Sequence, residues 1–168
     1  MTGEPKPPRS AKKRRRKLRE EIVDYVVAIE GWDWGYSFAL NSERQPIDPY
    51  DEFRHLQVKG RLLRPSEQKT ERAEISLLPS SDLEEERRGD LRPIALGALH
   101  VTQAAILGNI GIPRDALTPI LQMLIAGRFN YVLMRGSRFR HRSAKVSSLR
   151  LETALTEDDV ALGEESVA

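Results

Sequence analysis

The sequence predicts a mainly β fold: an antiparallel sandwich of jelly-roll type, or a barrel, of about eight strands with one short α-helix near 118–127. Three observations carry this expectation. Apolar residues of the middle section recur with period two far more often than with period 3.6. The alternating runs are short and separated by glycine, proline and small polar residues. The chain has 168 residues, 39% of them hydrophobic and none of them cysteine. That is enough for one core, and it excludes a disulfide scaffold and a thiolate-ligated zinc site.

The first segment, residues 1–20, is a basic arm. Up to residue 19, nine cations (Lys6, Arg9, Lys12, Lys13, Arg14, Arg15, Arg16, Lys17 and Arg19) stand against one anion, Glu4. Residues 1–19 thus carry +8 against a total of +2, leaving −6 for the rest of the chain. Like-charge repulsion and Pro5, Pro7 and Pro8 disfavour a packed element here. The following apolar run, Ile22 to Ile29, contains Asp24 and ends at Glu30, so it is a poor secretory core. No stretch approaches the ~18 apolar residues of a membrane helix. The expectation is an intracellular protein, cytoplasmic by default, without membrane association. Lys12 to Lys17 also have the composition of a nuclear-localisation signal.

A single β-rich domain is expected over residues 21–152. Val23, Tyr25, Val27 and Ile29 share one face of a first strand, and Trp34, Tyr36, Phe38 and Leu40 share a face of a second. Gly31, Trp32 and Asp33 between them suit a tight hairpin. Leu56, Val58, Gly60 and Leu62 point one way in a third strand, and Ala73, Ile75 and Leu77 point inward in a fourth, the two joined through Arg64, Pro65 and Ser66. The polar stretch 79–93 reads as an exposed acidic loop. Ile94 to Val101 and Ala104 to Ile112 are glycine-punctuated, which penalises a helix by about 1 kcal/mol per glycine, so both are read as strands. Thr118 as cap, Pro119 in the first turn, the stripe Leu121, Leu124 and Ile125, and Gly127 as terminator define the helix. Two strands, near 129–135 and 143–152, complete the domain. Residues 153–168 are expected to form a flexible acidic tail.

No phosphate loop, dinucleotide fingerprint or nucleophile elbow is present, and no cofactor is implied. Gly108, Asn109, Ile110 and Gly111 are followed by Ile112 and Pro113, where a phosphate loop needs lysine and a hydroxyl, so these glycines belong to a strand or turn. His55, His100 and His141 are far apart in sequence, and no metal site is expected. Asp48, Asp51 and Glu52 cluster in what reads as an exposed turn, with nothing to indicate acid–base geometry. Trp32 and Trp34 point the same way in a strand. Such a pair suits stacking on a sugar or a base, and it suits the plugging of a core, which is the preferred reading.

The strongest functional signal is a second basic cluster. Between Asp115 and Glu152 there is no acidic residue, whereas Arg128, Arg135, Arg138, Arg140, Arg142, Lys145 and Arg150 fall there. On extended backbone Arg138, Arg140 and Arg142 share a face, with Phe139 on the other. Guanidiniums in such a row fork onto phosphate oxygens. The competing reading pairs these arginines with the acidic loop or tail of the same chain. The expected function is therefore a non-catalytic module that contacts nucleic acid or another polyanion through Lys12 to Lys17 and Arg135, Arg138, Arg140 and Arg142. A protein-interaction subunit that self-associates is the alternative, and a carbohydrate-binding module using Trp32 and Trp34 a weaker one.

Overall fold

A computed structural model of the chain describes residues 21–42, 49–80, 94–156 and 159. The basic arm, the acidic stretch from residue 81 to residue 93, and Asp48 lie outside the described residues. Among the described residues there are seven strands: β1 (Ile22–Leu40), β2 (Tyr50–Arg64), β3 (Arg72–Ser80), β4 (Gly97–Val101), β5 (Ile106–Pro113), β6 (Tyr131–Ser137) and β7 (Ser143–Glu152). A 3-10 turn, Arg114–Ala116, leads from β5 into the helix α1 (Leu117–Ile125). The strands close into a barrel in the order β1, β2, β3, β5, β4, β7, β6, with β6 returning to β1. The fold class is the expected one, and of the two expected architectures the barrel is found. Six of the neighbouring pairs are antiparallel, and β3 with β5 is parallel.

One expected hairpin does not exist. Residues 22–40 form a single strand, and what lies near Gly31 is a bulge: Ile29 pairs with Gly60 and Gly31 with Lys59, so Glu30 is the extra residue. A bulge shifts the side-chain phase by one position. Tyr25, Val27 and Ile29 face the interior before it, and Trp32 and Trp34 take that side after it. The change of phase from odd to even positions, read in sequence as the end of one strand and the start of another, accounts for the strand count of seven.

The interior is built from alternating residues as the pattern predicts. Tyr25 and Val27, Leu56 and Val58, Ala73, Ile75 and Leu77, and Ile106, Ile110 and Ile112 are all buried in one cluster. Ile75 of β3 and Leu99 of β4 both face Gly108 across the sheet, and a Cβ on Gly108 would lie 2.7 Å from Ile75 Cδ1. The small residue lets two large ones meet over it, which is how a narrow barrel reaches interior packing density. The Gly108 to Gly111 segment is thus strand, as expected.

The helix adds Leu117 and Leu124 to the core, with Ile120, Leu121 and Phe129 packed against it. Its start differs from expectation. Ala116, not Thr118, occupies the N-cap position, and no side chain caps the helix, because the preceding 3-10 turn already brings the backbone in. Pro119 falls in the first turn, where no backbone donor is missed. The end is as expected: Gly127 has φ +62°, its N–H donates to Leu124 O, and Arg128 N–H donates to Met123 O, the two bonds of a Schellman motif.

The acidic tail is anchored at its beginning. Val26 and Leu133 face outward from the barrel wall yet are buried. Beside them Asp159 accepts from Arg150 at 2.8 Å, and its main-chain carbonyl accepts from Arg64. Thr156 and Asp159 form a reciprocal cap: Thr156 N–H donates to the Asp159 carboxylate at 3.1 Å and Asp159 N–H to Thr156 Oγ1 at 3.3 Å. The expected flexibility therefore does not extend to the first residues after Glu152. Val26, Leu133, Thr156 and Asp159, with Arg64, Arg135 and Arg150, line a cleft of about 420 Å³.

Candidate functional site

The second basic cluster lies on β6, β7 and the hairpin between them. β6 ends at Ser137, and Arg140 pairs with Ser143 through two backbone hydrogen bonds of 2.8 and 2.9 Å, so His141 and Arg142 form a two-residue turn. Both have positive φ, +50° and +66°. This is the left-handed backbone conformation of a type I′ two-residue turn, whose twist matches that of the flanking strands and which Asn-Gly or Gly-Gly normally supplies. Here two bulky residues hold it, at a cost of roughly 1–2 kcal/mol each. Arg140, His141 and Arg142 are all exposed.

The four predicted arginines are not equivalent. Arg135 lies on the outer wall and holds Asp24 of β1 with both nitrogens, at 2.8 and 3.3 Å. Arg138 reaches Glu21 at 3.3 Å and Glu67 of the β2–β3 turn at 3.0 Å. Hydrogen bonding and attraction from Asp24, and from Glu21 followed by Glu67, hold the respective guanidiniums above their already high ordinary range. The internal pairing thus occurs, but with the start of β1 and the β2–β3 turn. Among the described residues of the acidic tail, Asp159 takes part, through Arg150. The pairs of Arg135 and Arg138 are exposed, where water and salt screen them.

Arg140 and Arg142 make no ion pair among the described residues. They do not continue one row from Arg138. Arg138 and Arg140 flank Phe139, which turns inward and packs edge-on against Tyr25 with ring centroids 5.3 Å apart. Arg142 comes after the reversal of the chain, so the expected row of three becomes a basic hairpin tip.

The tip sits at a particular end of the barrel. Arg138 N–H donates to Glu21 O at 3.0 Å, and Ile22 pairs with Ser137. Residues 1–20, with Lys12, Lys13, Arg14, Arg15, Arg16 and Lys17, therefore join the barrel beside the hairpin tip. Beneath it Tyr25, fully buried, donates from its hydroxyl to Ser137 O at 2.7 Å. Burial pushes its phenol up to about 12, partly offset by the nearby Arg138 charge.

The remaining candidates are dispersed. Trp32 and Trp34 do not plug the core. Both are exposed: β6 pairs with β1 only as far as Ala28, and among the described residues no further strand pairs with β1 on that side beyond it. Asp51 and Glu52 lie on β2, neighbours along one strand and therefore on opposite faces, and Glu52 pairs with Arg54. His55 lies under Gly35, where a Cβ would stand 2.0 Å from the imidazole, and its Nδ1 is buried without a partner. No group of three metal-ligating side chains occurs among the described residues. Sequence reasoning missed the strained turn, whose only sequence signal is the spacing of two residues between Arg140 and Ser143. No known protein family, curated protein or solved structure matches the chain, so its function is argued from its own residues.

Proposed function

We propose that this protein is a non-catalytic β-barrel module that binds nucleic acid or another polyanion through one end of the barrel. The observation that supports the reading is the hairpin Arg140-His141-Arg142, held in left-handed backbone by non-glycine residues at the end where the basic residues 1–20 join. Strain of this kind is kept where the side chains are wanted. The arm supplies most of the affinity by releasing counterions, and the tip fixes orientation on the phosphates. Arg135 and Arg138 exchange their exposed carboxylate partners for phosphate with little loss. Among the described residues no side chain is arranged to read base edges, and binding independent of sequence is expected.

Salt dependence on a duplex of ~30 base pairs tests this. With about six to nine cations engaged, the logarithm of the binding constant falls with the logarithm of salt with a slope of roughly −5 to −8. Replacing Arg140 and Arg142 by alanine makes the slope shallower by about 2, and removing residues 1–19 flattens it further. A slope shallower than about −2 for the full chain, or no binding in about 50 mM salt, overturns the reading.

A further inference from the structure

At the other end of β1 the structure carries a feature unrelated to the basic tip. Trp34 pairs with Leu56, Tyr36 with Arg54, Phe38 with Glu52 and Leu40 with Tyr50. Among the described residues, β3 pairs with β2 only from Leu56 onward, so 34–40 and 50–55 form a two-stranded ribbon that runs about 20 Å past the last β2–β3 pair, with Glu52, Phe53 and Arg54 beside Leu78, Pro79 and Arg114 at the barrel rim. Cross-strand partners share a face. Leu56 is in the core, so the ribbon face bearing Trp34, Tyr36, Phe38 and Leu40 is the barrel interior continued into the open.

That face is apolar and ordered. Trp34 and Tyr36 lie near-parallel with centroids 6.5 Å apart, and Phe38 and Tyr50 stack at 5.1 Å. Trp34 is 41% exposed, Tyr36 and Phe38 each 56%, and Leu40 76%. With side chains of roughly 200 Å² each, these four leave on the order of 450 Å² of surface in water, in the upper half of the range for a monomer's largest patch, which is often functional, and more than half of the ~800 Å² each partner buries in a standard interface. Among the described residues of the ribbon, its formal charges are Glu52 and Arg54, which pair with each other and sum to zero. Arg54 lies 6.0 Å over the Tyr36 ring. A polyanion is not attracted by such a face. A face that carries one charge of each sign is complementary to itself when turned about a two-fold axis.

We propose that the ribbon is a homodimerisation arm: two copies pack their Trp34, Tyr36, Phe38 and Leu40 faces together, with Glu52 of each copy opposite Arg54 of the other. β1 spans about 60 Å, so the dimer leaves a basic hairpin tip at each far end.

Sedimentation equilibrium of the full chain in about 0.5 M salt, which suppresses bridging by polyanions, tests the proposal. The expected result is a monomer–dimer equilibrium in the micromolar range. Replacing Tyr36 and Phe38 together by glutamate raises the dissociation constant about a hundredfold or more. Ser37→Glu, on the reverse face of the same strand, leaves it within about threefold. Thermal unfolding separates this from misfolding: at matched monomer concentrations the midpoints of the Tyr36→Glu/Phe38→Glu and Ser37→Glu chains agree. A full chain that stays monomeric at about 200 μM overturns the proposal, as does a dimer that Ser37→Glu breaks and Tyr36→Glu/Phe38→Glu does not. A monomer whose tryptophan emission is quenched by oligothymidylate or a glycan overturns it in favour of ring stacking.

Discussion

Arg142 holds a backbone conformation that only glycine adopts without strain, so the proposed phosphate-binding role and stability oppose each other at this residue. Arg142→Gly removes the steric cost, and the folded state gains about 1 kcal/mol, seen as a rise of a few degrees in the unfolding midpoint. The same change weakens duplex binding and makes the salt slope shallower by about 1. A variant that loses both stability and affinity contradicts the account of the turn. Tyr25 offers a second test. Its phenol is raised in the folded chain, so its contribution to stability is complete below pH 10 and is lost as pH rises toward about 12. Absorbance titration should show one tyrosine ionising near 12, and Tyr25→Phe should remove that step while costing about 1 kcal/mol for the lost bond to Ser137 O.

At the level of the element, the ends of α1 differ in how they are secured. Its start needs no capping side chain because a 3-10 turn precedes it, whereas its end depends on Gly127. Gly127→Ala should cost about 1 kcal/mol, since the space around the position is open and only the backbone objects. A neutral result in denaturant unfolding would mean that the Schellman end relaxes without penalty. The docked start of the tail is sensitive to acid. Bonds from the Thr156 side chain, then its backbone, and the Arg150 guanidinium hold the Asp159 carboxyl below its ordinary 3.8. Its contribution is present above that value and lost as pH falls through the lower folded one. The NMR titration midpoint of Asp159 should lie below 3.8, and Thr156→Val should move it upward. A midpoint at or above 3.8 would show that the cap does not form.

For the whole molecule, the arrangement separates two surfaces along one strand: a charged end, proposed to meet phosphates, and an apolar ribbon, proposed to meet a second copy. A dimer presenting two basic tips and two arms binds a long duplex more tightly than a short one, through effective concentration. The Tyr36→Glu/Phe38→Glu chain, measured in about 0.15 M salt, should lose this preference for length while keeping its affinity for a short duplex. Equal loss on both lengths would place the ribbon within the phosphate-binding surface instead. How much of this was legible beforehand differs between the two surfaces. Period-two alternation showed which way Tyr25, Leu56, Ile75 and Ile110 face, because facing is a local property of pleated backbone. Whether Trp34 and Phe38 would be covered was not legible, because cover depends on where β6 stops, a hundred residues away in the chain.

The sequence by itself determined the strand-rich class, the inward residues of the first half of β1, of β2 from Leu56 and of β3, the glycine that ends the helix, and the clustering of cations in residues 12–17 and 135–142. Each of these follows from near neighbours, through side-chain phase, backbone freedom or charge. The tertiary structure alone decided the closure of the barrel, the bulge at Glu30 in place of a hairpin, the carboxylates that meet Arg135 and Arg138, and the exposure of the ribbon. Those depend on which distant strand lies alongside, and burial and ion pairing are set by the neighbour in space, which no local pattern names.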